Sequence, residues 1–146
     1  MAFSDVYRVG AHAVITNHTG QVLLLKATYG DLAWGLPGGG IDPDETILEG
    51  LKRECREELG VEIEVEALRG VYLLLEITGL TGIYLHAEIN AHVSIFRCHI
   101  DAAADIILSH EHSDFAYHDL EQLSAVQRQR VEDCIYFSGE VIFRKF

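Results

Sequence analysis

Apolar residues fall in short blocks along the 146-residue chain, and the spacing within each block separates strands from helices. His12 to Asn17 (HAVITN) and Gln21 to Ala27 (QVLLLKA) are apolar runs parted by His18-Thr19-Gly20. They predict a β-hairpin with a glycine in its turn. Val61 to Ile77 alternates first and then runs apolar, which predicts one or two strands with a break near Arg69-Gly70. Ile89 to Ile100 reads as another strand and Phe115 to Tyr117 as a short one. Leu120 to Tyr136 carries Leu123, Val126, Val131 and Ile135 on or near one face and predicts a helix. Between these blocks, Tyr29 to Gly40 (YGDLAWGLPGGG) is rich in glycine and predicts loop, with a short strand at Ala33 to Leu36.

The clearest helical signals lie in the middle of the chain. Thr46-Ile47-Leu48-Glu49 has the form of a capping box, and Gly60 is a good C-terminal stop, so the helix runs from Ile47 to Leu59. Asp42 to Glu45 offers a rival, slightly earlier start. At about 100° per residue, Leu48, Leu51, Cys55 and Leu59 form a stripe for the core, and Glu54, Glu57 and Glu58 share a second face. Like charges three and four residues apart repel by a few tenths of a kcal/mol. With Lys52, Arg53 and Arg56 nearby, the charge pattern alone favours a solvated face. The glycines shift that balance, because Gly38, Gly39 and Gly40 let backbone pass close to the helix start. Carbonyl oxygens together with three carboxylates make a hard donor set suited to Mg²⁺ or Mn²⁺. Gly50, an unfavourable residue inside a helix, fits a helix crowded there by the loop.

Charge sharpens the expectation of a cation. Asp and Glu total 23 against 11 Lys and Arg, for a net charge of −12, which disfavours nucleic acid as a partner. A small phosphorylated substrate would meet the same repulsion unless a divalent cation screened it. Cys55, Cys98 and Cys134 are odd in number and widely spaced, which predicts reduced, buried thiols rather than disulfides or a zinc ribbon. There is no secretory leader pattern and no apolar run long enough to span a bilayer. Length and composition predict a single domain over residues 1–146 in a cytoplasmic protein without membrane contact, with homodimerisation left open.

Gly39, Glu45 and then Arg53-Glu54-Cys55-Arg56-Glu57-Glu58-Leu59-Gly60-Val61 resemble the Nudix box, G-x5-E-x7-R-E-U-x-E-E-x-G-U with U apolar, and every fixed position is filled. Trp34-Gly35-Leu36-Pro37-Gly38 also looks like the usual approach to that box. Asp44, where glycine is frequent, and Gly50, where alanine is common, are the two small departures. The resemblance implies an α/β fold, an α/β/α sandwich around a mixed β-sheet. It further implies hydrolysis within the diphosphate of a nucleoside diphosphate linked to another moiety, with Mg²⁺ or Mn²⁺. Glu54, Glu57 and Glu58 would hold the metal, with the Gly38 carbonyl beside Gly39 as a further donor, while Arg53 and Glu45 would pair and fix the loop to the helix.

Members of this family often carry the general base outside the box, which draws attention to Ser109-His110-Glu111-His112-Ser113-Asp114. Glu111 is the candidate base, with Asp114 behind it. His110, His112 and His118 lack a fourth ligand at zinc spacing and read as surface residues. Trp34, Tyr29 and Tyr117 are candidates for stacking on a base. With prolines only at 37 and 43, the ADP-ribose subgroup is disfavoured, and the SQPWPxS element of NADH-type members is absent. Nucleoside triphosphates, nucleotide sugars, dinucleoside polyphosphates and non-nucleotide diphosphates remain. The rival class is a nucleotide sensor that binds without hydrolysis, and the complete set of box carboxylates favours the enzyme.

Overall fold

The structure is a computed structural model that describes residues 8–28, 33–75 and 91–146. Eight strands and two helices follow one another as β1 (Arg8–Val14), β2 (Val22–Ala27), β3 (Trp34–Gly35), β4 (Gly38–Gly40), α1 (Ile47–Leu59), β5 (Glu64–Leu74), β6 (Ala91–His99), β7 (His112–His118), α2 (Ala125–Ile135) and β8 (Ile142–Lys145). Five strands form a mixed sheet in the order β4-β1-β6-β5-β8, with β1/β6 and β5/β8 parallel. The other three form an antiparallel sheet, β3-β2-β7. Among the described residues no helix is long and apolar enough to cross a membrane.

Side chains alternate across a strand, and that alternation builds the layers. Ala11, Ala13 and Ile15 of the first strand segment, Leu23 and Leu25 of β2 and Phe96 and Cys98 of β6 pack with Leu51, Cys55 and Leu59 of α1. Their neighbours Val14, Val22, Leu24, Val93 and Ile95 face the other way, onto Val131 and Cys134 of α2. The two helices therefore cover opposite sides of the sheet core, as an α/β/α sandwich requires. All three cysteines are buried and free, as their spacing predicted.

Several expectations change in the structure. The predicted hairpin exists only at its neck, where the Asn17 and Leu23 amides donate to the Gln21 and Ile15 carbonyls at 3.0 and 2.8 Å. Beyond the neck β1 and β2 part into different sheets, because a strand has only two edges and both are taken: β4 and β6 flank β1, while β3 and β7 flank β2. Trp34–Gly35 forms the short strand expected within Ala33 to Leu36, but Gly38 to Gly40 is strand rather than loop, with Gly38 paired to His12. Residues 29–32, including Tyr29, lie outside the described residues, as do 76, 77, 89 and 90 of the predicted strands. The expected break near Arg69-Gly70 is a bulge between Leu68 and Gly70 within one strand, β5.

Leu48 is 44% exposed instead of buried. The side chain of Ile41 lies against Gly50 on the other side of that turn, where a Cβ would come 2.5 Å from Ile41 Cδ1. The helix expected from Leu120 to Tyr136 is divided into a 3-10 turn over Leu120–Gln122 and α2, whose start is capped when Ser124 Oγ accepts from the Gln127 amide at 3.4 Å. The unforeseen strand β8 is fastened through Asp133 of α2, which accepts from the Tyr72 hydroxyl at 2.9 Å and from Arg144 Nε at 2.7 Å.

Two polar residues are buried in the layer under α2. His12 Nδ1 and the Arg130 guanidinium have no hydrogen-bond partner among the described residues. Burial pulls the Arg130 pKa down to about 10, and burial followed by the charge of Arg130 pulls His12 down from 6.5 to about 3. Between those two values for His12 the unfolded chain binds a proton that the folded chain refuses, so stability falls as pH drops through this window. In His12→Leu the slope of unfolding free energy against pH, measured by denaturant titration around pH 5, is expected to flatten by up to about 1.4 kcal/mol per pH unit. Equal slopes in the two proteins would contradict a buried neutral imidazole.

Candidate active site

The site is built where β4 runs into α1. Thr46 Oγ1 accepts from the Glu49 amide, and the Glu49 carboxylate accepts from the Thr46 amide, both at 3.1 Å. Gly60 closes the other end in the left-handed conformation, with φ of 69°. Start, end and length of α1 thus match the sequence expectation. The preceding turn is held by Glu45, whose carboxylate accepts from the Asp42 amide at 2.9 Å.

Arg53 joins these parts. Its Nε donates to Glu45 Oε2 at 2.7 Å, and its Nη2 donates to Glu45 Oε1 at 2.9 Å and to the Gly40 carbonyl at 3.1 Å. Its Nη1 reaches Glu54 Oε1 at 3.0 Å and Glu57 Oε2 at 3.3 Å. A planar fork of donors suits such a fan, and a lysine could not reproduce it. The bond from Arg53, then the Asp42 amide, holds the Glu45 carboxyl below its usual range.

The three box carboxylates occupy different environments rather than one solvated face. Glu57 is exposed, Glu54 is half-buried and Glu58 is only 4% exposed. Glu58 Oε1 accepts from the Gly38 amide at 2.7 Å, and its Oε2 lies 3.4 Å from His112 Nε2. Burial pushes the Glu58 pKa well up, with the bond from Gly38 opposing and the charges of Glu54, Glu111 and Glu57 adding to the rise. Burial likewise raises Glu54, against the pull of Arg53 and with Glu57 and Glu111 adding repulsion. Burial first, and then repulsion from neighbouring carboxylates, therefore opposes ionisation of Glu54 and Glu58.

Two glycines make the close approach possible. Gly38 has φ of +130°, and a Cβ on it would lie 2.1 Å from the Ala11 carbonyl oxygen. A Cβ on Gly39 would meet the Glu54 carboxylate at 2.9 Å. The strand β4 is thereby laid directly over α1, with one amide aimed at Glu58. Gly50 plays the related part expected of it, since Ile41 and Glu45 of the loop crowd its face of the helix.

Glu111 is exposed just before β7, and its charge acts on both Glu54 and Glu58, which brings it to the same end of the molecule. Asp114 is turned to its own neighbourhood, accepting from the Phe115 amide at 2.8 Å. His112 is buried, contrary to its reading as a surface residue, because it opens β7 on the inward side and packs beside Glu58. The HEH spacing carried no signal for this, because His110 and Glu111 lie in the turn before β7 and are exposed while His112 is buried. Trp34 and Tyr117 belong to opposite layers, so they do not form one stacking platform. Trp34 instead lies against His118, with ring centroids 4.7 Å apart, beside a cavity of about 280 Å³.

Among the described residues no group of three or more His, Cys, Asp and Glu side chains is gathered as metal ligands. Arg53 is the counter-charge now shared by Glu54 and Glu57. The donor chemistry nevertheless fits a hard divalent cation, with carboxylate oxygens of which two, on Glu54 and Glu58, are raised in pKa first by burial and then by neighbouring carboxylates.

The fold and this glycine-to-helix arrangement define an α/β/α sandwich in which a glycine strand lies over an acidic helix. The pattern of the NUDIX domain matches residues 6–135, and the chain belongs to that family. The RNA pyrophosphohydrolase of Pseudomonas fluorescens (strain SBW25) is 45% identical over 60 residues, which are 41% of this chain and 37% of that protein. That of Ruthia magnifica subsp. Calyptogena magnifica is 47% identical over 64 residues, 44% of this chain and 35% of that one. The shared stretch thus spans little more than a third of these relatives. A crystal structure of a MutT protein from Methanosarcina mazei Go1 matches with TM-score 0.73 at 25% identity, over 95% of this chain and 100% of that one. A C. elegans Ap4A hydrolase shares the fold, with TM-score 0.70 at 22% identity over 86% and 93% of the two chains.

Substitution at two neighbouring glycines separates backbone strain from simple glycine content. Gly38→Ala is expected to lower unfolding free energy by about 3 kcal/mol or more, since both φ and the Ala11 carbonyl forbid a Cβ. Gly40→Ala, where a Cβ meets nothing within 4 Å, should change it by less than about 0.5 kcal/mol. Equal losses in guanidinium unfolding would refute the close packing of β4 against β1.

Proposed function

We propose that the protein is a metal-dependent pyrophosphohydrolase that cuts the diphosphate linkage of a nucleoside diphosphate joined to another group. The observation that carries this reading is Glu58, a nearly buried carboxylate pressed by Glu54, Glu57 and Glu111 and left with a raised pKa. A protein fold tolerates such crowding when function needs the charge. Glu54, Glu57 and Glu58 would hold Mg²⁺ or Mn²⁺, which would neutralise phosphate charge and make a bound water a stronger nucleophile. Arg53 keeps Glu54 and Glu57 beside the Gly40 carbonyl and ties the 41–45 loop to α1. The Gly38 amide fixes Glu58 from the strand side, and His112 shields it from bulk water. Glu111, exposed just before β7 and acting by its charge on Glu54 and Glu58, would take a proton from the attacking water.

The family membership and the relatives named RNA pyrophosphohydrolase support pyrophosphate chemistry. The net charge of −12 favours a small nucleotide over a long RNA, whose many phosphates would be repelled. Three buried free thiols suit the reducing cytoplasm.

The test is a screen of nucleoside triphosphates, nucleotide sugars, dinucleoside polyphosphates and 5′-triphosphorylated RNA with Mg²⁺ or Mn²⁺, identifying both products. Glu57→Gln, at an exposed position, should leave the circular dichroism spectrum intact while lowering turnover by about a hundredfold or more. Turnover equal to that of the unaltered protein would remove Glu57 from the site.

A further inference from the structure

The five-stranded sheet ends on β8. At its other end β4 rests against α1, but β8 has β5 on one side and no strand among the described residues on the other. Such an edge offers unpaired N–H and C=O groups to any extended chain, and folds ordinarily cover it or blunt it. Here it carries Phe143, which is 75% exposed, more than any other large apolar side chain described.

The backbone of β8 states which groups are free. The Phe146 amide donates to the Leu73 carbonyl at 3.0 Å, and the Phe146 carbonyl accepts from the Leu75 amide at 3.1 Å, so Phe146 turns its backbone groups toward β5. Alternate residues of a strand do the same, so Ile142 and Arg144 also face β5, while Val141, Phe143 and Lys145 point their N–H and C=O groups outward. Side chains alternate too, with Arg144 on the α2 face, bonded to Asp133, and Phe143 on the opposite face.

A twofold axis normal to the sheet can set β8 antiparallel to itself, and it brings together only residues whose side chains share a face. With Ile142 opposite the partner's Ile142, Val141 falls opposite the partner's Phe143 and Glu140 opposite the partner's Arg144. Val141 and Phe143 then exchange the outward hydrogen bonds, and Glu140 and Arg144 form the closer, non-hydrogen-bonded kind of pair. Both charges have capacity for it. Glu140 is exposed and has no ion pair among the described residues, and Arg144 uses Nε and Nη2 on Asp133, which leaves Nη1. A register centred on Phe143 would instead set Ile142 against a guanidinium and leave Glu140 unmatched.

We propose that two copies of the chain associate through antiparallel pairing of β8 centred on Ile142, with apolar contacts between Val141 and Phe143 and ion pairs between Glu140 and Arg144. The two five-stranded sheets become one continuous sheet with β4 at both outer margins. The candidate active site lies at the β4 end, so both copies keep it open. The contact is short, and the dimer therefore forms and dissociates with concentration.

Sedimentation velocity on the unaltered protein over a wide concentration range should show reversible dimerisation. Phe143→Asp and, separately, Glu140→Arg are each expected to raise the dimer dissociation constant about tenfold or more. Both positions are exposed, so the unfolding midpoint of the dilute, monomeric chain should not move. Cysteine substitution reads the register, because the three native thiols are buried. On oxidation with copper phenanthroline, Ile142→Cys should yield a disulfide-linked dimer, since facing residues of a non-hydrogen-bonded pair lie within disulfide reach. Lys145→Cys, set opposite the partner's Gly139, should stay unlinked under the same treatment. A chain that is monomeric at every concentration, a dimer that neither Phe143→Asp nor Glu140→Arg weakens, or linkage through Lys145→Cys rather than Ile142→Cys overturns the proposal. If Phe143→Asp lowers the unfolding midpoint, Glu140→Arg and the cysteine pair decide.

Discussion

The hydrogen-bond fan of Arg53 is the interaction on which the site depends. One guanidinium touches the loop carboxylate Glu45, the last carbonyl of β4 at Gly40, and two helix carboxylates, Glu54 and Glu57. Each partner belongs to a different part of the chain or a different turn of the helix. Without this fork the glycine strand, the 41–45 loop and α1 would lack a common anchor, and Glu54 and Glu57 would face each other uncompensated. Half-burial strengthens these contacts relative to solvent-exposed pairs, whose worth is commonly below about 1 kcal/mol.

Around that anchor the fold places charge where a soluble domain would ordinarily avoid it. Leu51, Cys55 and Leu59 seal one stripe of α1 onto β1 and β2, and this rotation carries Glu58 inward with them. The Gly38 amide then meets Glu58 because a residue with a side chain could not lie against Ala11 at that point. Core packing, the glycine backbone and the acidic cluster are thus one construction. The apolar stripe fixes the helix, the helix fixes the carboxylates, and the glycines let the strand close over them.

Local signals were legible in the sequence to the residue. Thr46, Glu49 and Gly60 delimit α1 because caps act through bonds to near neighbours. The crowding at Gly50 was readable because a glycine inside a helix needs a reason, and the pairing of Glu45 with Arg53 was what the resemblance to the Nudix box implied. What escaped was set by distant partners. The hairpin of β1 and β2 opens because four other strands compete for their edges. β8 is only four residues long and is held by Asp133 and by pairing with β5. Leu48 follows the helical stripe, yet in the first turn of α1 it is 44% exposed, which periodicity within the helix does not encode. His112 looked like one of several surface histidines until β7 turned it toward Glu58, a contact between residues far apart in the chain.

The most direct measurement is equilibrium binding of Mn²⁺, followed by electron paramagnetic resonance on the purified chain at neutral pH, because Glu54 and Glu57 converge on Arg53 close to the buried Glu58. Saturable binding is expected, displaced by Mg²⁺ and sharply weakened when Glu54 and Glu57 are both changed to Gln. Absence of saturable binding, or binding of equal strength in the doubly substituted chain, would contradict a metal centre on α1.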